Sequence, residues 1–167
     1  APWPDRDLTT LLEQADTWLG PSLEGCLAWS DISATALEEA LWGDLDWSFR
    51  QQLDGLLPRR IPIPSGRQAA LRYTADEVIL AVKLQEMFGS DNGPHVLNGR
   101  IPVTLELLSP AGRPLQRTHA LKGFWEGSYQ EVRREMRGRY PKHLWPEDPR
   151  QALPTARTKR KSNGQQP

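Results

Sequence analysis

Leu8, Leu11, Leu12, Ala15, Trp18 and Leu19 recur three and four residues apart, the spacing of one helix face, until Gly20 and Pro21 end the run. A second helical run follows Asp31 or Ser33 and carries Leu37, Ala40, Leu41 and Trp42. A third covers residues 45–57, with Leu45, Phe49, Leu53 and Leu56 on one side. It closes at Pro58, because a residue before proline is pushed toward extended geometry. The pattern then changes. Prolines 62 and 64, the Ser65-Gly66 pair and the alternation into Tyr73 predict extended segments and turns. Thr74 and Glu77 have capping-box spacing and predict a helix from Ala75 to Gly89, although the apolar run Val78 to Val82 also fits a buried strand. Residues 100–108 and 113–121 are extended runs around "SPAG", with Pro second and Gly fourth, which predicts a hairpin closed by a type I turn. Ser128 and Glu131 repeat the capping-box spacing. Tyr129, Val132 and Met136 then form one apolar stripe, with Arg133, Arg134 and Arg137 on other faces and Gly138 as the predicted stop. Beyond Tyr140, frequent prolines and few apolar residues predict an extended tail that builds no core.

Composition places these elements in a chain of 167 residues, long enough for one core or two small packed units. No apolar run approaches the roughly 18 to 20 residues of a membrane span, and the start "APWPDRDL" has neither the basic nor the apolar region of a signal peptide. The single cysteine, Cys26, leaves no internal disulfide and suits a reducing, cytoplasmic setting. A net charge of zero conceals an asymmetry. Residues 1–57 hold 11 Asp and Glu against Arg6 and Arg50, net −9, and residues 58–167 hold 19 Lys and Arg against 10 acids, net +9. Such a basic half is the one to meet nucleic acid; an acidic layer docked on a basic one within the chain is the competing reading.

Motifs of catalysis are missing. There is no GxxxxGK[ST] phosphate loop, no GxGxxG, no HExxH and no paired CxxC, and His95, His119 and His143 are too widely spaced for a structural zinc site. The acids of the basic half sit singly or beside Arg, which nominates no general acid and base couple. The residues point to a binding or structural module with no catalytic residues, no metal and no cofactor of its own.

Five strings narrow this further. Residues 64–74 "PSGRQAALRYT", 80–89 "LAVKLQEMFG", 99–118 "GRIPVTLELLSPAGRPLQRT", 121–149 "LKGFWEGSYQEVRREMRGRYPKHLWPEDP" and 152–161 "ALPTARTKRK" closely resemble, in that order, the C-terminal region of the HrpB family of bacterial DExH-box ATP-dependent RNA helicases. The acidic helical part is similar to the segment that precedes this region in the family. The resemblance implies an upstream motor of two RecA-like domains, to which ATP and Mg belong, followed by winged-helix and helical-bundle domains; none of the motor motifs is in this chain. It also implies an accessory role, in which the chain helps to hold single-stranded RNA or DNA and braces the helicase core domains of the same polypeptide, as a monomer. Docking on a partner protein or on the helicase core without nucleic acid is the alternative.

The resulting expectation is an α+β chain. An acidic helical segment, residues 1–57, packs beside an HrpB-type domain, residues 58–149, with a small β unit, OB-like in one reading, and a basic C-terminal helix; residues 150–167 form a basic extended tail. Single strands are gripped largely through phosphates with added aromatic stacking. The expected contacts are therefore Arg67, Arg72, Arg133, Arg134, Arg137, Arg139, Lys142, His143 and Trp145, with Arg157, Lys159, Arg160 and Lys161 of the tail as nonspecific phosphate contacts. Trp125, Tyr140 and Trp145 could stack bases, but filling core is about twice as common a role for such residues. The charges of the basic helix have an equally plain reading, as a solvated face paired within itself.

Overall fold

The computed structural model describes residues 5–43 and 45–157. The chain divides into two units, residues 1–55 and 56–167. It is α+β, as the sequence predicts.

The first unit is helical. Its opening run is not one helix but α1 (Leu8–Glu13) and α2 (Ala15–Trp18), followed by a 3₁₀ turn over Gly20–Leu23. Asp7 caps α1 by accepting the Thr10 amide at 2.8 Å. Ser33 caps α3 (Ala34–Trp42) in the same way, through the Ala36 amide at 3.0 Å. The last helix is α4 (Trp47–Leu56), which stops before Pro58.

The second unit holds the core. Strand β1 (Arg60–Pro62) pairs antiparallel with β2 (Gln68–Ala70), burying Ile61 opposite Ala69. A four-stranded sheet follows in the order β3 (Arg72–Tyr73), β4 (Val78–Lys83), β7 (Thr104–Leu108), β8 (Pro114–Thr118). The β4–β7 pair is parallel and the other two are antiparallel. Between β4 and β7 in the chain lies a ribbon of β5 (His95–Val96) and β6 (Ile101–Pro102). The edge strands β3 and β8 are not paired with each other, so the described strands make an open sheet and two ribbons, without an OB-like closure.

The helix predicted from Ala75 to Gly89 does not form; the strand reading of its apolar run is the one the fold adopts. Val78, Leu80 and Val82 enter the core, while Ile79, on the other face, is also only 3% exposed. Ala81, next on that face, is exposed, so only the Val78–Leu80–Val82 face is fully covered, although the strand reads as a continuous apolar run. Residues Leu84–Met87 turn through one 3₁₀ helix, all buried, and lead to Phe88. The predicted hairpin is present: Gly112 donates to the Ser109 carbonyl at 2.9 Å with φ +81°, the left-handed region that glycine enters without a Cβ clash.

Helices α5 (Leu121–Glu126) and α6 (Tyr129–Arg139) close the core. Phe88, Phe124, Trp125 and Tyr129 form an aromatic cluster with ring centroids 5.1 to 6.5 Å apart, mostly tilted or edge-on. Two local expectations fail at α6. Ser128 makes no side-chain cap, and Gly138 lies inside the helix, which ends at Arg139. Nor is the following segment a bare tail. Residues 141–155 carry no helix or strand, yet Trp145 is 6% exposed, Pro149 is buried, and Leu144 and Ala152 pack on the core. This strap is fastened by backbone bonds from Gly89 to the Pro149 carbonyl and from Thr155 to the Gln85 carbonyl, both 2.9 Å. Gly89, at φ +77°, suits the crossing, since a Cβ there would lie 3.1 Å from the Ala152 oxygen.

Candidate functional site

Helix α6 places its charges by its buried stripe. Tyr129 and Met136 are buried and Val132 half-buried, so Arg134 and Arg137, one turn apart, point to solvent beside Gln130. Arg133 lies between these two faces. Its side chain is only 16% exposed; Nε donates to the Trp145 carbonyl at 3.0 Å and Nη2 lies 3.4 Å from the Glu147 carboxylate. Tyr129 donates its hydroxyl to the Pro146 carbonyl at 2.8 Å, and Gln130 donates to the Glu147 carbonyl at 2.8 Å. One face of α6 thus holds the strap. Arg134 and Arg137, on the next face, make no side-chain bond among the described residues.

The expected nucleic-acid residues sort into five groups. Arg67, Arg72, Arg133 and Arg139 are engaged within the protein. Arg67 forks the buried Glu86 carboxylate at 2.8 and 3.0 Å, Arg72 reaches Glu106 at 3.3 Å, and Arg139 pairs with Glu135 at 3.5 Å along the helix. Arg134, Arg137 and Lys142 are exposed and have no ion-pair or hydrogen-bond partner among the described residues. His143 and Trp145 are held by packing: His143 is half-buried edge-on to Tyr140 at 6.2 Å, and the Trp145 indole donates to the Tyr140 carbonyl at 3.0 Å. Arg157 is exposed at the end of the described strap and makes an interaction of its own. Lys159, Arg160 and Lys161 lie outside the described residues.

The aromatic candidates fall on the core side. Trp125 is 4% exposed, with its indole N–H on the Ser90 carbonyl at 2.7 Å, and Trp145 is nearly as covered, so neither offers a ring face to a base. Burial, aided by the nearby Lys83 ammonium, holds the His143 pKa below its usual 6.5, which keeps the ring mostly neutral at pH 7 and without the charge a phosphate contact uses. What remains is a patch of fixed positive charge beside Tyr140, which is half-buried against the core. Arg133 and Arg137 line a cleft of about 330 Å³ with Pro141, Leu144 and Trp145, and Arg134 stands one turn away.

Two residues that no sequence signal singles out matter to this arrangement. Arg150 reaches Asp91, Glu126 and Asp148 at 3.3 to 3.8 Å and pins the strap; its partners in α5 and the 90–94 loop are 24 and 59 positions away, so no local pattern marks them. Glu86 is the other. It is 2% exposed, and it also accepts the Lys83 amide and the Ser65 hydroxyl, both at 3.3 Å. Burial raises its pKa, but the Arg67 bonds and charge outweigh that and hold the carboxyl below its ordinary 4.5.

The order of these elements, with a strapped basic helix after a mixed sheet, has a counterpart in known proteins. The family model described as ATP-dependent helicase C-terminal, of HrpB type, matches residues 18–149. This chain belongs to that HrpB C-terminal family. The ATP-dependent RNA helicase HrpB of Escherichia coli (strain K12) is 47% identical over 161 residues, which cover 96% of this chain and 20% of that protein. The crystal structure of the E. coli DExH-box NTPase HrpB matches with a TM-score of 0.82 at 46% identity, over 95% of this chain and 20% of that one. A second crystal structure, of the E. coli DEAH/RHA helicase HrpB, matches with a TM-score of 0.65 at 44% identity over 87% of this chain and 18% of that one. The chain spans about a fifth of the length of these HrpB relatives. Among its described residues, no helix is long and apolar enough to cross a membrane.

Proposed function

We propose that this HrpB-type C-terminal domain is a noncatalytic accessory part of a cytoplasmic ATP-dependent RNA helicase. It acts as a monomer within that polypeptide, braces the motor, and holds single-stranded RNA or DNA by its phosphates alone. ATP and Mg are used by the motor domains of the longer protein. The observation that carries the reading is that Arg134, Arg137 and Lys142 stand exposed and unpartnered among the described residues while the neighbouring Arg139 and Arg133 are already engaged. An unpaired guanidinium can take a phosphate without breaking an existing ion pair, and Arg presents two parallel donors to it. With Trp125 and Trp145 buried, base stacking contributes little, so the contact is indifferent to sequence. Arg134 and Arg137, three residues apart on one face, follow a backbone.

Replacing Arg134, Arg137 and Lys142 with Gln in a full-length HrpB-type polypeptide tests this. Single-strand affinity is expected to fall for every sequence tried, and the slope of log affinity against log salt to flatten by about 0.7 per lost contact. Unfolding is expected to shift by less than about 0.5 kcal/mol, because these side chains hold nothing in place. Unchanged affinity and slope would sink the phosphate reading. Protein docking, the second reading, is favoured by a different part of the chain: Leu27 and Trp29 of the first unit are 97% and 85% exposed.

A further inference from the structure

The first unit has almost no core. Among its described residues only Ala40 is buried, while Leu8, Leu12 and Trp47 are 73%, 68% and 68% exposed, besides Leu27 and Trp29. Its α-helices are six, four, nine and ten residues long, short of the roughly 12 to 15 at which an isolated helix becomes even marginally stable in water. Several of the side-chain bonds that shape it are local. Trp18 donates to the Leu11 carbonyl, Asp31 accepts the Leu27 and Ala28 amides, and Arg50 donates to the Trp42 carbonyl, each within eight residues. Such bonds fix the course of the chain, but they do not replace the apolar burial that stabilises short helices.

The exposed groups have the character of an interface. Leu8 and Leu12, one turn apart, share a face of α1. Leu27 and Trp29 help to line a shallow, open socket of about 220 Å³ with Leu23, Cys26, Ala28 and Ile32. Tryptophan in such a position is a typical centre of binding energy. Around these groups the segment carries a net charge of −9, so the surface that covers them is expected to be apolar and rimmed by Lys and Arg. The candidate occupant is the remaining chain of such a polypeptide, because the matching segment is only 20% and 18% of the two solved HrpB chains.

We propose that the first unit is a docking surface for the other domains of an HrpB-type polypeptide, seated through the Leu27–Trp29 socket and the Leu8–Leu12 face on an apolar, Lys/Arg-rimmed patch. Docking there supplies the burial that orders its helices. This depends on membership of the family and not on the phosphate contact, and no nucleic acid enters the test.

Hydrogen exchange reads it directly. In this chain alone, amides of α1 to α4 are expected to exchange at least about 100-fold faster than those of β4 and β7. In a full-length HrpB-type polypeptide carrying the chain, they are expected to slow by about 10-fold or more. The double change Leu27→Glu, Trp29→Glu removes that slowing in the long protein and leaves β4 and β7 unaffected in the short one. Slow exchange of the first unit in the chain alone overturns the proposal, as does slowing that survives the double change. Protection that rises with the concentration of the chain by itself also overturns it, in favour of a second copy as the occupant.

Discussion

Arg67→Met is expected to cost the second unit about 2 to 3 kcal/mol at pH 7, more than Glu86→Gln at the other end of the same pair. The asymmetry follows from burial. The Arg67 side chain is 49% exposed and can hydrate when its partner is neutralised, whereas Glu86 is 2% exposed and is left charged in the interior when Arg67 goes. The pH dependence has a definite sign. Glu86 titrates below 4.5 in the folded protein, so its contribution is full above the unfolded pKa and is lost as pH falls through the lower, folded one. Without Arg67 the burial effect is opposed only by the Lys83 amide and the Ser65 hydroxyl, and the folded pKa rises from its wild-type position. The variant's deficit then shrinks as the medium is acidified from pH 7 toward 4. Urea unfolding of the two proteins at both pH values measures this. A deficit equal at pH 7 and pH 4 would mean that the Glu86 charge is not its source, and Arg67→Met combined with Glu86→Gln is expected to recover part of the loss.

That pair also marks the limit of what the sequence makes legible. Features set by neighbours a few residues apart are readable: the Ser33 cap, the stop before Pro58, the 109–112 turn, the apolar stripe of α6 and the Glu135–Arg139 pair. One more local signal belongs with them. Asn98-Gly99, with both residues at positive φ, turns between β5 and β6, and such a dipeptide is a strong hairpin mark. Capping-box spacing misleads at Thr74 because the same chemistry serves a turn between strands. The Thr74 hydroxyl accepts the Glu77 amide at 3.1 Å, and the backbone of Thr74 donates to the Glu77 carbonyl at 3.0 Å, so β3 pairs back on β4 where the spacing predicts a helix. At the candidate site the obstacle is distance along the chain. Whether an Arg is free for a phosphate depends on an acid or carbonyl 12 positions away for Arg133, 19 for Arg67 and 34 for Arg72, and composition cannot supply those partners. Family resemblance identifies the region. It does not sort its charges.

The strap yields the largest expected effect, although its sequence reads as a tail without core. Trp145→Ala is expected to lower stability by about 3 to 5 kcal/mol, the range for removing a buried Trp side chain with incomplete collapse of the space it leaves. The indole is 6% exposed and belongs to the same core cluster as Phe88 and Tyr129, and its N–H satisfies the Tyr140 carbonyl at the end of α6. Loss of the ring also loosens the Arg133 bond to the Trp145 backbone, and with it the face of α6 that borders the cleft. Leu153→Ala provides the contrast within the same strap. That side chain is 83% exposed, and its removal is expected to stay within about 0.5 kcal/mol. Urea unfolding of both variants, with hydrogen exchange at the Gly89 and Thr155 amides that bond across the strap, separates local release from global loss. If Trp145→Ala proved as mild as Leu153→Ala, the strap would be a dispensable covering. If the loss is of the expected size, the segment is the clamp that fixes α6 on the core, and with it the direction in which Arg134 and Arg137 face.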